Sequence, residues 1–475
     1  MPTRFKLSVM MFLEFFIWGA WLPLIFGYLP SLGFSGENPP AGLQGLPPSV
    51  SWLFTEQAMV INAFFISALI ALFFSTQFAD RTFSAERFLA FSHLVGGLAM
   101  LGLFFIRKPS PAEPAPFWPF FGLMLLHSLF YVPTISITNS IAFANLKDPQ
   151  KEFGPVRLWG TIGWIAAAWP FVLILVDWAK VTEANPQGIL AWVQTVLNPE
   201  NAKTGAAFRE ATAWTFVASG SASLLLAFIS LFLPHTPPKP ASPGGDSLAW
   251  LEAVKLLRHP FVFVLFLVTF VDAAVHQYYF VWTERYLTGQ VGVGGYNTGV
   301  GIAPNWVMPV MSIGQIAEIG TMALLGYVLK AFGWRMTMVI GILGHAGRFA
   351  VFAYLPNPYY AVIVNVLHGI CYAFFFATVY IFVDEFFPKD ARSSAQGLFN
   401  TLILGLGPIA SNTLAPYIGK LYTIDPNPAN PVYDFGQIFL IPMYAALIAA
   451  ALLLVAFHPP RKAGTTGEGV IAPAH

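Results

Sequence analysis

Long apolar stretches alternate with short polar connections along the whole chain. Each stretch holds about 20 residues, enough for a helix to cross a hydrocarbon core of roughly 30 Å. The pattern predicts about twelve membrane spans. They fall near residues 7 to 29, 57 to 79, 87 to 106, 117 to 143, 155 to 178, 212 to 233, 260 to 284, 305 to 331, 335 to 355, 358 to 386, 395 to 421 and 437 to 457. The connections leave no room for a soluble domain. Arg4 and Lys6 precede the first span, but its apolar run is too long for a secretory leader and lacks a small-residue cleavage site, so it is expected to remain as a helix.

Hydrophobicity drops most between Pro234 and Pro260, where Pro, Gly, Ser and Lys accumulate and the spans divide six and six. The expected organisation is an N-terminal six-helix half (1–234), a linker (235–259), a C-terminal six-helix half (260–458) and a polar tail (459–475). The linker should start extended, and Ser247 to Leu257 reads as a short amphipathic helix lying on the membrane. Two all-α halves joined in this way outline a transporter with its site near the midplane between them. Arg4, Lys6, Arg81, Arg87, Lys151, Arg258, Arg335 and Arg461 share one side if the spans alternate, which predicts that this side, with both termini, is cytoplasmic. The other side carries the longer connections, Gly33 to Trp52 and Lys180 to Glu210.

Composition agrees with a multi-pass membrane protein: 56% of the 475 residues are hydrophobic and only 10% are charged. A formal net charge of +1 without a basic cluster argues against nucleic acid as a partner. The single cysteine, Cys371, excludes an internal disulfide and a multi-cysteine metal site. No nucleophile constellation, metal cluster or phosphate loop is present, so neither an enzyme nor a cofactor or metal is expected. The expected partners are the lipid bilayer and a small ligand, and the expected state is a monomer.

Polar side chains inside spans are costly in lipid and therefore mark candidate sites. Positions i, i+4 and i+7 share one helix face. Span one carries Glu14, Trp18 and Trp21 in this pattern, and span five carries Arg157, Thr161 and Trp164. Span seven has Asp272, His276 and Tyr279; span eight has Met311, Gln315 and Glu318; span ten has His368, Tyr372 and Phe375. Such faces would line one cavity, in which aromatic rings stack on a flat ligand while amides, hydroxyls and charges bind its polar part. Nucleosides and sugars both fit this description.

Arg157 is expected a few residues above the cytoplasmic end of span five. Glu318, about 13 residues into an inward-running span eight, should lie roughly 20 Å below the outer surface. Both then fall in the cytoplasmic half, where a buried carboxylate needs a cationic partner, and Arg157 is the natural one.

Arg157-Leu158-Trp159-Gly160-Thr161-Ile162-Gly163-Trp164, together with Met311 to Glu318 and Arg392 to Gly397, resembles the bacterial nucleoside:proton symporter family of the major facilitator superfamily. The connection Ala79 to Arg87 is similar to that superfamily's loop signature, in which an acid and arginines latch neighbouring helix ends, here Asp80, Arg81 and Arg87. Phe12 to Trp21, Tyr131 to Thr134 with Asn139, and Arg348 to Tyr354 extend the resemblance from the first span to the eleventh. It implies the major facilitator fold, uptake of nucleosides across the inner (plasma) membrane and a proton as coupling ion.

By position, the family's nucleoside-contacting arginine, threonine and aromatic match Arg157, Thr161 and Trp164, and its glutamine and glutamate on span eight match Gln315 and Glu318. The family's glutamine and asparagine on span seven fall at His276 and Tyr279, with Gln277 one step round the helix. Its aspartate on span ten falls at Ala373, beside Tyr372. The first departure bears on nucleobase preference and the second on the proton route. Without that aspartate, Glu318 ranks first as proton carrier, followed by Asp272, which His276 could bond one turn away, and Glu14. His276 and His368 are the available bases. His93, His127 and His345 read as packing residues, and Arg348 as a structural group bonded to carbonyls or a carboxylate. Other readings are a sugar or modified-nucleoside transporter or facilitator of the same superfamily, and a nucleoside sensor, against which no signalling domain is appended.

Overall fold

The computed structural model describes residues 2–74, 83–238, 254–387, 392–425 and 431–459. In lipid every backbone N–H and C=O must be paired within the protein, and unbroken apolar stretches meet that demand as helices. The long helices are α1 (Thr3–Ser31), α2 (Glu56–Phe74), α3 (Ala85–Phe104) and α4 (Phe117–Asn145). After them come α5 (Pro149–Ala168, carried past Trp169 to Ile174), α6 (Gly205–Ser230) and α7 (Pro260–Thr288). A 51-residue helical stretch, Pro304–Tyr354, is broken at Gly333, where φ is 71° and ψ is 174°. It supplies two spans, α8 (304–332) and α9 (334–354). The last three are α10 (Pro358–Phe386), α11 (Ala395–Leu421) and α12 (Phe435–Ala456). Among the described residues ten of these helical stretches are individually long and apolar enough to cross a bilayer, the 51-residue one counts twice, and α2, taken with the short bent turn Pro48–Phe54 before it, is consistent with the twelfth.

Gly333 adopts a backbone conformation that a side chain resists, which lets the chain double back between α8 and α9 without a loop. The reversal is visible in the packing: Gly314 of α8 and Arg348 of α9 both reach His368 of α10. With an even number of spans, the start of α1 and the end of α12 lie on one face.

In the N-terminal half α1 packs on α5 and α6, and α3 on α4 and α6; in the C-terminal half α7 packs on α11 and α12, and α10 lies against α8 and α9. The halves meet along α1 with α7, α2 with α11, and α5 with α8. Small residues set the closest approaches, as expected where no hydrophobic force drives helices together in lipid. A Cβ on Gly163 of α5 would collide with the Phe12 carbonyl of α1, and one on Gly369 of α10 with the α8 backbone at Glu318.

The structure moves several expected boundaries. α5 begins at Pro149 and not at residue 155, because Asp148 caps it by accepting from the Lys151 backbone N–H at 3.3 Å. Arg157 is therefore about 12 Å along the helix. Asp80 and Arg81 of the predicted gating loop lie outside the described residues, and Arg87 is exposed in the first turn of α3. The acid engaged there is Glu86, whose two oxygens hold His235 Nδ1 at 2.8 Å and the Thr236 backbone N–H at 2.9 Å. That clamp fastens the chain leaving α6 to the start of α3. Of the expected linker, residues 239–253 lie outside the described residues, and Leu256–Arg258 form a single 3-10 turn.

Gly163→Val should lower the melting temperature and the folded yield, since overpacking of this kind costs about 1–3 kcal/mol. Gly154→Ala, which meets nothing within 4 Å, should leave both unchanged or slightly raised. Fluorescence-detected gel filtration after a heat ramp compares the two.

Candidate functional site

A cavity of about 170 Å³ lies between the halves. The N-terminal half contributes Phe15, Trp18 and Leu22 from α1, Phe65 from α2, and Arg157, Thr161 and Trp164 from α5. The C-terminal half contributes Ala273, His276, Gln277 and Phe280 from α7, Gln315 and Glu318 from α8, and His368, Tyr372 and Phe376 from α10. Ile403, Leu404 and Pro408 of α11 close one side. Seven of the eight predicted ligand-binding residues meet here: Arg157, Thr161, Trp164, His276, Gln315, Glu318 and Tyr372.

The eighth, Tyr279, does not reach the cavity. It is fully buried, its hydroxyl donates to Asn365 Oδ1 at 2.6 Å, and its ring lies 4.0 Å from the Arg348 guanidinium carbon. The cause is a one-residue shift in phase. The predicted face of α7 was 272, 276 and 279, but the cavity face is Ala273, His276, Gln277 and Phe280. Both sets have helical spacing, and only packing selects between them. α1 shows the same shift, presenting Phe15, Trp18 and Leu22 while Glu14 and Trp21 turn into the N-terminal half. On α10 the cause is local: a wide π-helical turn over Tyr372–Ala377 puts Phe376, not Phe375, on the face with His368 and Tyr372. A second such turn, Leu402–Leu406, carries Ile403 and Leu404 to the cavity on α11.

Arg157 points inward. Its guanidinium carbon sits 3.9 Å from the centre of the Phe15 ring, a cation–π contact that holds the side chain against α1. It is close enough to Glu318 for their charges to interact across the cavity. Among the described residues no nitrogen–oxygen contact of 4.0 Å or less joins the two, so each keeps hydrogen-bonding capacity for a ligand. Thr161 and Trp164 follow on the same face. Trp164 meets Trp18 edge-on at 5.3 Å and Phe280 of the other half at 6.4 Å, which forms an aromatic corner.

Behind the C-terminal wall lies a polar network. Asp272 Oδ1 accepts from His345 Nδ1 at 2.9 Å, and the other ring nitrogen of His345 lies 3.2 Å from His276 Nδ1. This corrects two expectations: Asp272 bonds His345 and not His276, and His345 is a linked member of the network. Arg348 is fully buried, and its Nη1 donates to His368 Nδ1 at 2.6 Å, not to a carbonyl or carboxylate. His368 must then carry its proton on Nε2, which lies 3.4 Å from the Gln315 amide nitrogen, so the pair is complementary only with that amide turned over. The amide oxygen is the group that can accept it, leaving the NH₂ of Gln315 for the cavity.

Glu14 is also away from the cavity. Its carboxylate holds His93 Nε2 at 3.0 Å and accepts from Thr134 at 2.8 Å, while His93 Nδ1 lies 3.0 Å from Ser223 Oγ. His93, expected only to pack, is its partner.

The halves are tied together towards the face opposite the termini. Arg209 donates to the fully buried Glu284 at 2.7 Å, Arg285 donates to the Phe26 carbonyl, and Lys420 pairs with Glu37 at 2.7 Å. Deeper in, Asn62 of α2 bonds Thr413 at 3.0 Å and Asn412 at 3.1 Å on α11.

Comparison with known proteins agrees with this architecture. The sequence model of the family described as Nucleoside H+ symporter matches residues 1–204 and 187–462. A protein of Escherichia coli named putative nucleoside transporter YegT is 30% identical over 466 residues, covering 96% of this chain and 94% of its own. The xanthosine permease of the same organism is 26% identical over 480 residues, covering 97% and 98%. The crystal structure of the nucleoside transporter NupG shares the fold, with a TM-score of 0.72 at 22% identity over 96% of this chain and 99% of that one. With both halves matched along nearly their whole length, the chain belongs to the nucleoside H+ symporter family.

Proposed function

We propose that this protein imports nucleosides across the bacterial plasma membrane, coupled to protons, by alternating access of its two halves. The termini-bearing face is the cytoplasmic one, and the polar ties between the halves belong to the outer side, so the arrangement is the outwardly closed one. One chain completes the cavity, so a monomer suffices.

The observation that carries this reading is the pair of opposite charges, Arg157 and Glu318, facing one aromatic-walled cavity from different halves without bonding each other. A nucleoside bridges them. Its base lies in the corner of Trp18, Trp164 and Phe280, while Arg157 donates to carbonyl or hydroxyl oxygens and Glu318 accepts from ribose hydroxyls. Thr161, Gln315 and Gln277 supply the remaining directed bonds. The relatives named nucleoside transporter and xanthosine permease support a nucleoside over a sugar. Glu318 and Arg157 face the cavity from opposite halves, so both can reach a ligand held between them.

Radiolabelled nucleoside uptake into proteoliposomes tests the assignment. Arg157→Lys and Glu318→Gln should each raise KM about tenfold or more, the cost of a charge-assisted hydrogen bond. Xylose and lactose should not compete with uridine. If both variants transport with unchanged KM, the cavity is not the nucleoside site. Tyr279→Phe should leave KM within about twofold, because the lost hydroxyl bonds Asn365 behind the wall.

A further inference from the structure

Two acid–histidine pairs occupy equivalent places in the two halves. Glu14 of α1 bonds His93 of α3, and Asp272 of α7 bonds His345 of α9. All four side chains are fully buried. Only the second pair is continued to the cavity. The far nitrogen of His93 ends on Ser223, inside the half, whereas the far nitrogen of His345 meets His276, which lines the cavity.

We propose that Asp272, His345 and His276 form the proton site of the transport cycle, with His276 as its mouth. This rests on the nucleoside-symport reading above and names the residues that do the coupling. A proton arriving from the cavity binds His276 Nε2. The Nδ1 proton of His276 passes along the 3.2 Å bond to His345 Nε2, leaving His276 neutral. His345 is then doubly protonated, and its Nδ1–H is held at 2.9 Å by Asp272 Oδ1, whose charge compensates it. On release the same transfers run backwards, and the proton leaves from His276 Nε2. Asp272 Oδ2 has no hydrogen-bond partner among the described residues.

The surroundings favour this route. From α9, Arg348 is a fixed cation that bonds His368 and has no carboxylate bonded to it among the described residues. From α10, Cys371 lies against His345, Tyr372 faces the cavity, and the His368 ring lies tilted against His276 at 4.8 Å with its own nitrogens engaged by Arg348 and Gln315. α7 adds Tyr279, under Arg348, and α8 adds Glu318 across the cavity. α12 has no charged residue, and α11 has only Lys420 at its far end. His276 is the one base that joins the buried acid to the cavity among the described residues.

The test uses proteoliposomes with two readouts on each variant: nucleoside exchange without a gradient, and accumulation driven by an imposed difference of about one pH unit. One proton per nucleoside should give the wild type about tenfold accumulation, since one pH unit corresponds to about 1.4 kcal/mol. Asp272→Asn and His345→Asn should keep exchange within about threefold of wild type while accumulation falls to about onefold. Glu14→Gln should retain gradient-driven accumulation. Should the buried variants fail to fold, His276→Gln, at the cavity wall, should show exchange that no longer varies with pH between about 5.5 and 8, where the wild type varies. Gradient-driven accumulation in Asp272→Asn, His345→Asn or His276→Gln would overturn the proposal. A wild type that exchanges nucleoside but never accumulates it would instead overturn the symport reading on which it rests.

Discussion

Placing a guanidinium and a carboxylate inside a bundle that sits in lipid is costly, because each gives up hydration that a hydrocarbon surrounding cannot replace. The fold recovers part of that cost without letting the two neutralise each other. Arg157 lies on the Phe15 ring, and its charge is felt by Glu318 from the opposite half. Had they bonded directly, the halves would be locked at the cavity and the ligand would have to break an ion pair to enter. Kept apart, both charges stay available to an aromatic-walled cavity between the halves.

Most of the remaining architecture serves this separation. Glycines at 19 and 163 bring α1 and α5 together closely enough for Phe15, Trp18 and Trp164 to share one wall. The π-helical turns on α10 and α11 each rotate the following residues, which brings Phe376, Ile403 and Leu404 to the cavity. The polar bonds across the halves, from Arg209–Glu284 to Asn62–Thr413, gather towards one end.

The two halves use one device in two ways. An acid on the first helix and a histidine on the third form a buried bonded pair in each, which satisfies both groups away from water. In the N-terminal half Ser223 and Thr134 complete the bonding, and the pair serves as a cross-brace between α1, α3, α4 and α6. In the C-terminal half the chain of bonds continues through His276 to the cavity, so the same geometry becomes a path.

The sequence by itself determined the apolar spans and the cavity face of α5, because span length and face spacing are properties of a single helix. Arg157, Thr161 and Trp164 share a face wherever α5 is placed, and Gln315 and Glu318 likewise on α8. The tertiary structure alone decided which of two adjacent stripes on α1 and α7 faces the cavity. Successive residues lie about 100° apart on a helix, so a modest rotation against neighbours exchanges Tyr279 for Phe280, and Glu14 for Phe15. Partner choice was equally beyond the sequence: Asp272 and His345 are 73 positions apart, and Arg348 and His368 belong to different helices. Such pairs form only when rigid helices are set side by side, with rotation fixed by packing and not by the periodicity that made each helix recognisable.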